Sequence, residues 1–201
     1  MRKLVTGFAV VVCAFALVTS SASASTVTIG SQGSFMGEIR GGVYTGGFSI
    51  TTSGIPSIAD GTLMSFCVEL HENVYFGATY NAQANTKALK GGEAVSDPLD
   101  PRTAWLYNQY LTGGIVLSSN ANFADFAEAV WMLEDEIPVA TNTYYAQALL
   151  STWTDIGPIR VLNLGTAPVW ENQDVLIPEP ATMSLLGLGG LLFCRKRRAQ
   201  A

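Results

Sequence analysis

Cysteine and histidine are nearly missing from these 201 residues: Cys13, Cys67, Cys194 and His71 are all there is. A standard zinc site takes three or four ligands, mostly His and Cys, and this chain cannot supply them without carboxylates. With one histidine a Ser-His-Asp triad would be fortuitous, and no Gly-x-Ser-x-Gly run is present. Lys90, Gly91 and Gly92 stand in the wrong order for a phosphate-cradling loop. Cations are scarce where a nucleic-acid surface would need them. Between Ser25 and Ile177 the chain has only Arg40, Lys87, Lys90, Arg102 and Arg160 against fifteen acids, a net charge of −10. Binding to nucleic acid relies on Lys and Arg neutralising phosphates, so such a body excludes it. The remaining cations are gathered at the two ends.

What is present begins with Arg2 and Lys3, an apolar run from Leu4 to Val18, and a small-residue exit at Ala22, Ser23 and Ala24. These are the three parts of a secretory signal peptide, expected over residues 1–24 with cleavage between Ala24 and Ser25. At the other end Pro178, Glu179 and Pro180 precede an apolar stretch, Ala181 to Cys194, and then Arg195, Lys196, Arg197 and Arg198. The stretch is 14 residues long. As a helix it would reach about 21 Å, short of the roughly 30 Å hydrocarbon core. Its only clearly polar side chains are Thr182 and Ser184, so it lacks a solvent face. The four cations behind it favour the cytoplasmic side.

This tail resembles the PEP-CTERM sorting domain of Gram-negative bacteria, carried here by Pro178, Glu179 and Pro180, the apolar helix, and Arg195 to Arg198. The resemblance implies recognition by an exosortase, a membrane-embedded transpeptidase. It further implies tail cleavage near the motif, and transfer of the body to the envelope, surface or extracellular matrix. The motif residues are then a substrate site for another enzyme. Signal peptidase is the second processing partner, and the C-terminal helix is expected to hold the precursor transiently at the inner membrane.

Cys13 and Cys194 lie in the two end segments, which leaves Cys67 without a disulfide partner in the processed body. A buried, unreactive cysteine is the expectation for it. His71, in Glu69-Leu70-His71-Glu72, lacks convergent partners, and Asp97, Asp100, Glu134, Asp135 and Glu136 read as solvated charge rather than a calcium loop. No cofactor and no metal site are expected.

The body, residues 25–165, reads as a single α+β domain, a sheet or sandwich with about three helices in its second half. Strands are expected at Val27 to Ser31, Gly33 to Arg40, Gly42 to Thr52, Leu63 to His71, Asn73 to Asn81 and Ile159 to Leu164, with a bulge at Gly46 and Gly47. Helical spacing marks Thr103 to Leu111, with Pro101 in its first turn, Asp100 as cap and Gly113 after its end. Two more helices are expected at Asn122 to Glu134 and Asn142 to Trp153. Residues 166–177 read as a spacer before the 178–201 sorting segment.

Phe66, Cys67 and Glu69, then Ala104 to Asn108, then Phe126 to Trp131 follow a pattern common in exported PEP-CTERM proteins. The pattern is also similar to the thioester domains of surface adhesins. Those domains join a Cys to a Gln in a Gln-x-Ala-apolar-Trp run. Here Ala129, Val130 and Trp131 match, but Ala127 occupies the Gln position and Glu128 follows it. The resemblance implies a related scaffold without that bond. The expected function is a non-catalytic exported envelope or matrix protein associated with exopolysaccharide or surface components. Two alternatives stand beside it, an adhesin-type binding module and a secreted hydrolase with an unrecognised site.

Overall fold

A computed structural model describes residues 24–89, 97–166 and 170–179. Among them run β1 (Thr26–Ile29), β2 (Met36–Arg40), β3 (Val43–Ser53), β4 (Gly61–Phe66), β5 (Thr79–Asn85), β6 (Lys87–Ala88) and β7 (Asp97–Pro98). Then come α1 (Pro101–Thr112), α2 (Asn120–Leu133), α3 (Thr143–Ala148), β8 (Ile159–Leu164) and β9 (Asn172–Pro178). The expected signal peptide core and the tail beyond Glu179 lie outside the described residues. Among those described, no helix is long and apolar enough to cross a membrane.

Seven strands form one antiparallel sheet in the order β2-β3-β1-β5-β8-β9, with β4 also paired to β3. The register fixes how β3 serves three partners. Gly47 faces both Met36 of β2 and Phe66 of β4, so those two strands lie on opposite edges of β3. β1 and β2 then follow one another along the same edge. The sheet curls until its free edges touch, where Cys67 bridges to Val175 of β9 and the Val68 N–H donates to the Asp174 carbonyl at 2.9 Å. Ser65 Oγ ties the same seam by donating to the Leu176 carbonyl. A curled single sheet thus takes the place of the sheet-or-sandwich alternative.

Two apolar clusters fill the fold. Val27, Ile29, Phe48, Ile50, Leu162, Leu164, Val175 and Ile177 form one; it draws on strands and loops and on no helix, which places it in the hollow of the curl. The other joins the outer face of the sheet, through Phe66, Val161 and Leu176, to the helices. Alternation along β9 sends Val175 and Ile177 to the first and Leu176 to the second, so this strand is buried on both faces.

Local chemistry sets the helix ends. The Asp100 carboxylate accepts from the Arg102 N–H, Pro101 occupies the first turn, and Gly113 closes α1 in the left-handed conformation at φ 79°. Ser119 caps α2, and Asn142 accepts from the N–H groups of both Tyr144 and Tyr145 to start α3. α3 ends at Ala148, earlier than its expected limit at Trp153.

Three further expectations are corrected. The ladder runs unbroken through Gly46 and Gly47, so there is no bulge. A Cβ on Gly46 would come within 2.2 Å of the Met36 carbonyl oxygen, and this close approach is what requires glycine there. The strand expected from Leu63 to His71 ends at Phe66, while that expected from Asn73 begins only at Thr79. The spacer expected over 166–177 is, from Asn172 onward, the closing strand β9.

Candidate functional site

A cavity of about 210 Å³ opens beside the seam where the sheet closes. β3 supplies Tyr44 and Phe48 to its wall, the loop after the 3-10 turn at Gln32–Ser34 supplies Phe35, and the segment following β4 supplies Cys67, Glu69, Glu72 and Phe76. Trp131 comes from α2 and Gln173 from β9. Phe35, Tyr44 and Phe76 meet edge to face, with centroids 5.2, 5.4 and 6.1 Å apart. The segment after β4 is irregular because its backbone groups bond across the seam rather than along a ladder. The Leu70 N–H donates to Glu136 Oε2 at 3.0 Å, and the Gln173 amide donates to the Glu69 carbonyl.

Burial governs the electrostatics. Glu69 is 2% exposed. Desolvation, a hydrogen bond to Glu136 and the charges of Glu136, Glu72 and Asp174 push its carboxyl well above the ordinary carboxylate range. Burial and the charge of Glu72 push the Cys67 thiol up to about 12, which leaves essentially no thiolate to act as nucleophile. Cys67 is half-buried on the cavity wall and not sealed in the core. Trp131 is 4% exposed, and its buried Nε1–H meets no acceptor in the protein. No Lys, Arg or His is among the residues lining the cavity. The arrangement offers aromatic surface and uncharged or anionic polar groups.

Other sequence candidates are structural where they are described. His71 is exposed and stands outside the cavity wall. Asp100 caps α1, and the buried Glu134 carboxylate accepts from the Asp100 N–H. Among the described residues no group of three or more His, Cys, Asp or Glu is placed to hold a metal. Ala127 is buried under the sheet, while Glu128 pairs with Arg40 at 2.9 Å, alongside Glu38 and Asp125. Gln173 was not legible as a cavity residue, since it falls in the stretch that reads as a spacer.

The two expected processing points flank the folded body. Ala24 is exposed, and Ser25 is already tied down, its Oγ donating to the Gly54 carbonyl and its own carbonyl accepting from the Ala82 N–H, both at 2.9 Å. β1 starts one residue later. At the other end Pro178 is the last residue of β9, opposite Ile159. Glu179 pairs with Arg160 at 2.6 Å, and its N–H donates to the Pro158 carbonyl at 2.7 Å. Ala22, Pro180 and Arg195 to Arg198 lie outside the described residues.

Among curated proteins none matches the chain. Among solved structures, a weak likeness links it to the N-terminal thioester domain of a surface protein from Clostridium perfringens. The two are 12% identical with a TM-score of 0.41, over 77% of this chain and 97% of that one. Residues 176–198 match the model of the PEP-CTERM protein-sorting motif, so the chain carries that sorting motif at its C-terminal end, starting within the last three residues of β9 and running past Glu179, where the last strand leaves the sheet.

Proposed function

We propose that this is a non-catalytic protein of the cell envelope or extracellular matrix, exported, processed at its sorting tail and associated with exopolysaccharide or neighbouring surface components. The sorting motif at 176–198 carries the reading, because it implies export and processing by an exosortase. Two structural features support it. The matched stretch takes in Leu176, Ile177 and Pro178 at the end of β9, and a cut near Pro178-Glu179-Pro180 leaves the strand from Asn172 to Ile177 in the body. The thiol on the cavity wall, Cys67, is pushed up to about 12 by burial and the charge of Glu72, the opposite of an activated nucleophile. In this reading Ser25 becomes the first residue after signal peptidase, and Arg195 to Arg198 keep the tail on the cytoplasmic side until it is cut.

The experiment uses one tag after Ala201 and another within the exposed turn at Gly41 and Gly42. In exosortase-positive cells the two tags part, and the mature body is recovered at the surface or in the matrix with an intact mass that begins at Ser25. If both tags stay together on mature surface protein, the sorting reading fails.

A further inference from the structure

We propose that the cavity beside the Cys67–Val175 seam binds a single neutral sugar ring, presented as an end or branch unit of a surface polysaccharide. This rests on the exopolysaccharide reading above and specifies its contact.

Size comes first. At about 210 Å³ the cavity is smaller than the roughly 300–1,000 Å³ typical of pockets for drug-sized ligands, so it takes one ring and not a length of chain. Its wall has the right character for a ring with apolar faces. Phe35, Tyr44 and Phe76 form a continuous aromatic edge, and Tyr44, 43% exposed, extends it to the mouth.

Polar groups then select among small rings. Trp131 Nε1–H is a buried donor with no acceptor, as Thr103 Oγ1 and Asn163 Oδ1 elsewhere are without partners, although buried polar groups in folded proteins are usually paired. Trp131 lines the cavity while its Nε1 is closed off from solvent, so the indole must turn for a ring hydroxyl to accept from it; that hydroxyl still has a proton to give. An ammonium cannot accept, so an amine ligand would leave the indole unmet. Glu69 shares a proton with Glu136, and its Oε2, buried without a hydrogen-bond partner, is an acceptor for the hydroxyl proton of a polyol. The carboxylates of Glu72 and Glu136 stand nearby with no cation in the lining, so uronic acids and sulfated or phosphorylated sugars are repelled. A neutral polyhydroxylated ring answers all of these demands together.

The test uses ¹⁵N-labelled mature protein and follows the Trp131 indole N–H resonance. Methyl glycosides of glucose, galactose, mannose and N-acetylglucosamine are titrated in turn, with glucuronic acid as the charged control. At least one neutral glycoside is expected to shift that resonance saturably in the millimolar range, and glucuronic acid is not. Trp131→Phe keeps the ring but removes the donor and should weaken binding at least tenfold. Tyr44→Ala, at an exposed position, should weaken it severalfold with the near-UV circular dichroism of the body otherwise retained. The proposal is overturned if no neutral glycoside moves the resonance, if glucuronic acid binds equally, or if both variants bind as the parent does.

Co-sedimentation with purified exopolysaccharide separates the two readings. Glycoside binding without co-sedimentation leaves the cavity assignment standing and removes the exopolysaccharide association. Co-sedimentation that is equal for the parent and Trp131→Phe keeps the association and overturns the cavity assignment.

Discussion

Arg160 Nη2 lies 2.6 Å from Glu179 Oε1, so the second residue of the sorting motif is clasped to β8 by the fold it is meant to release. The same guanidinium also donates to the Gly157 and Ile159 carbonyls, which holds it in place without Glu179. Arg160→Ala should cost no more than about 1 kcal/mol, the usual ceiling for a partly exposed pair. It should nevertheless hasten tail removal, because the transpeptidase no longer competes with the clasp. Urea midpoints and a pulse-chase of the doubly tagged precursor measure the two effects. An unchanged chase would mean that the clasp does not limit access to the motif.

Cys67 should behave as a shielded thiol. At pH 8 the folded protein should react with iodoacetamide more than about a hundredfold slower than the unfolded chain, because each pKa unit above ambient pH cuts the thiolate tenfold. After unfolding, one thiol per mature body should label completely. A thiol that stays blocked once the chain is unfolded, with a mass deficit of one ammonia, would show a thioester and overturn this.

Acid should stabilise the body. Burial, the Glu136 contact and neighbouring charges raise Glu69 well above the ordinary range, and burial raises Glu134 to about 8 against the hydrogen bond from the Asp100 backbone. Asp174 is raised to about 6, again chiefly by burial. The unfolded chain releases these protons near pH 4 to 4.5, whereas the folded one keeps them. The folded state therefore binds more protons, and unfolding free energy falls as pH rises. The contribution is complete below about pH 4 and is lost as pH climbs through about 6 to 8. Thermal midpoints should drop between pH 5 and pH 8.5, and Glu134→Gln should flatten that slope. A midpoint that rises over this interval contradicts the assignment.

Phe66→Ala should cost about 3–5 kcal/mol, as expected for a fully buried aromatic. Phe66 is 0% exposed, with ring centroids of Phe126, Tyr110, Phe123 and Tyr107 between 4.6 and 6.2 Å away. Urea unfolding reads it directly. A loss within about 0.5 kcal/mol, the scale of a surface change, would show that this cluster does not hold the sheet to the helices.

The ends of α1 were legible because their causes are local: Asp100, Pro101 and Gly113 act within a few residues of themselves, whereas α3 stops at Ala148, five residues before its expected limit. β8 was legible for a related reason, since an apolar run bounded by Gly157-Pro158 and Gly165 reads as a strand wherever it sits. β9 was hidden by Asn172, Gln173 and Asp174. Three consecutive polar residues read as solvated chain, yet Gln173 donates to the Glu69 carbonyl and Asp174 accepts from the Leu89 N–H. Those partners lie 104 and 85 residues away in sequence. The cavity was hidden likewise, because its wall is gathered from β3, the segment after β4, α2 and β9. Cys67 and Trp131 stood out by residue type, and only the curl of the sheet brings them to one space.

The closing of the curl by β9 also fixes an order of events during secretion. A chain threaded outward from its N-terminus delivers β1 early and β9 last among these strands. Until Asn172–Pro178 has emerged, β8 keeps an open edge. Ser65 and Val68 also lack the carbonyls they donate to. Leu176, Ile177 and Pro178 belong both to that strand and to the matched motif. Completion of the body and arrival of its address label therefore coincide.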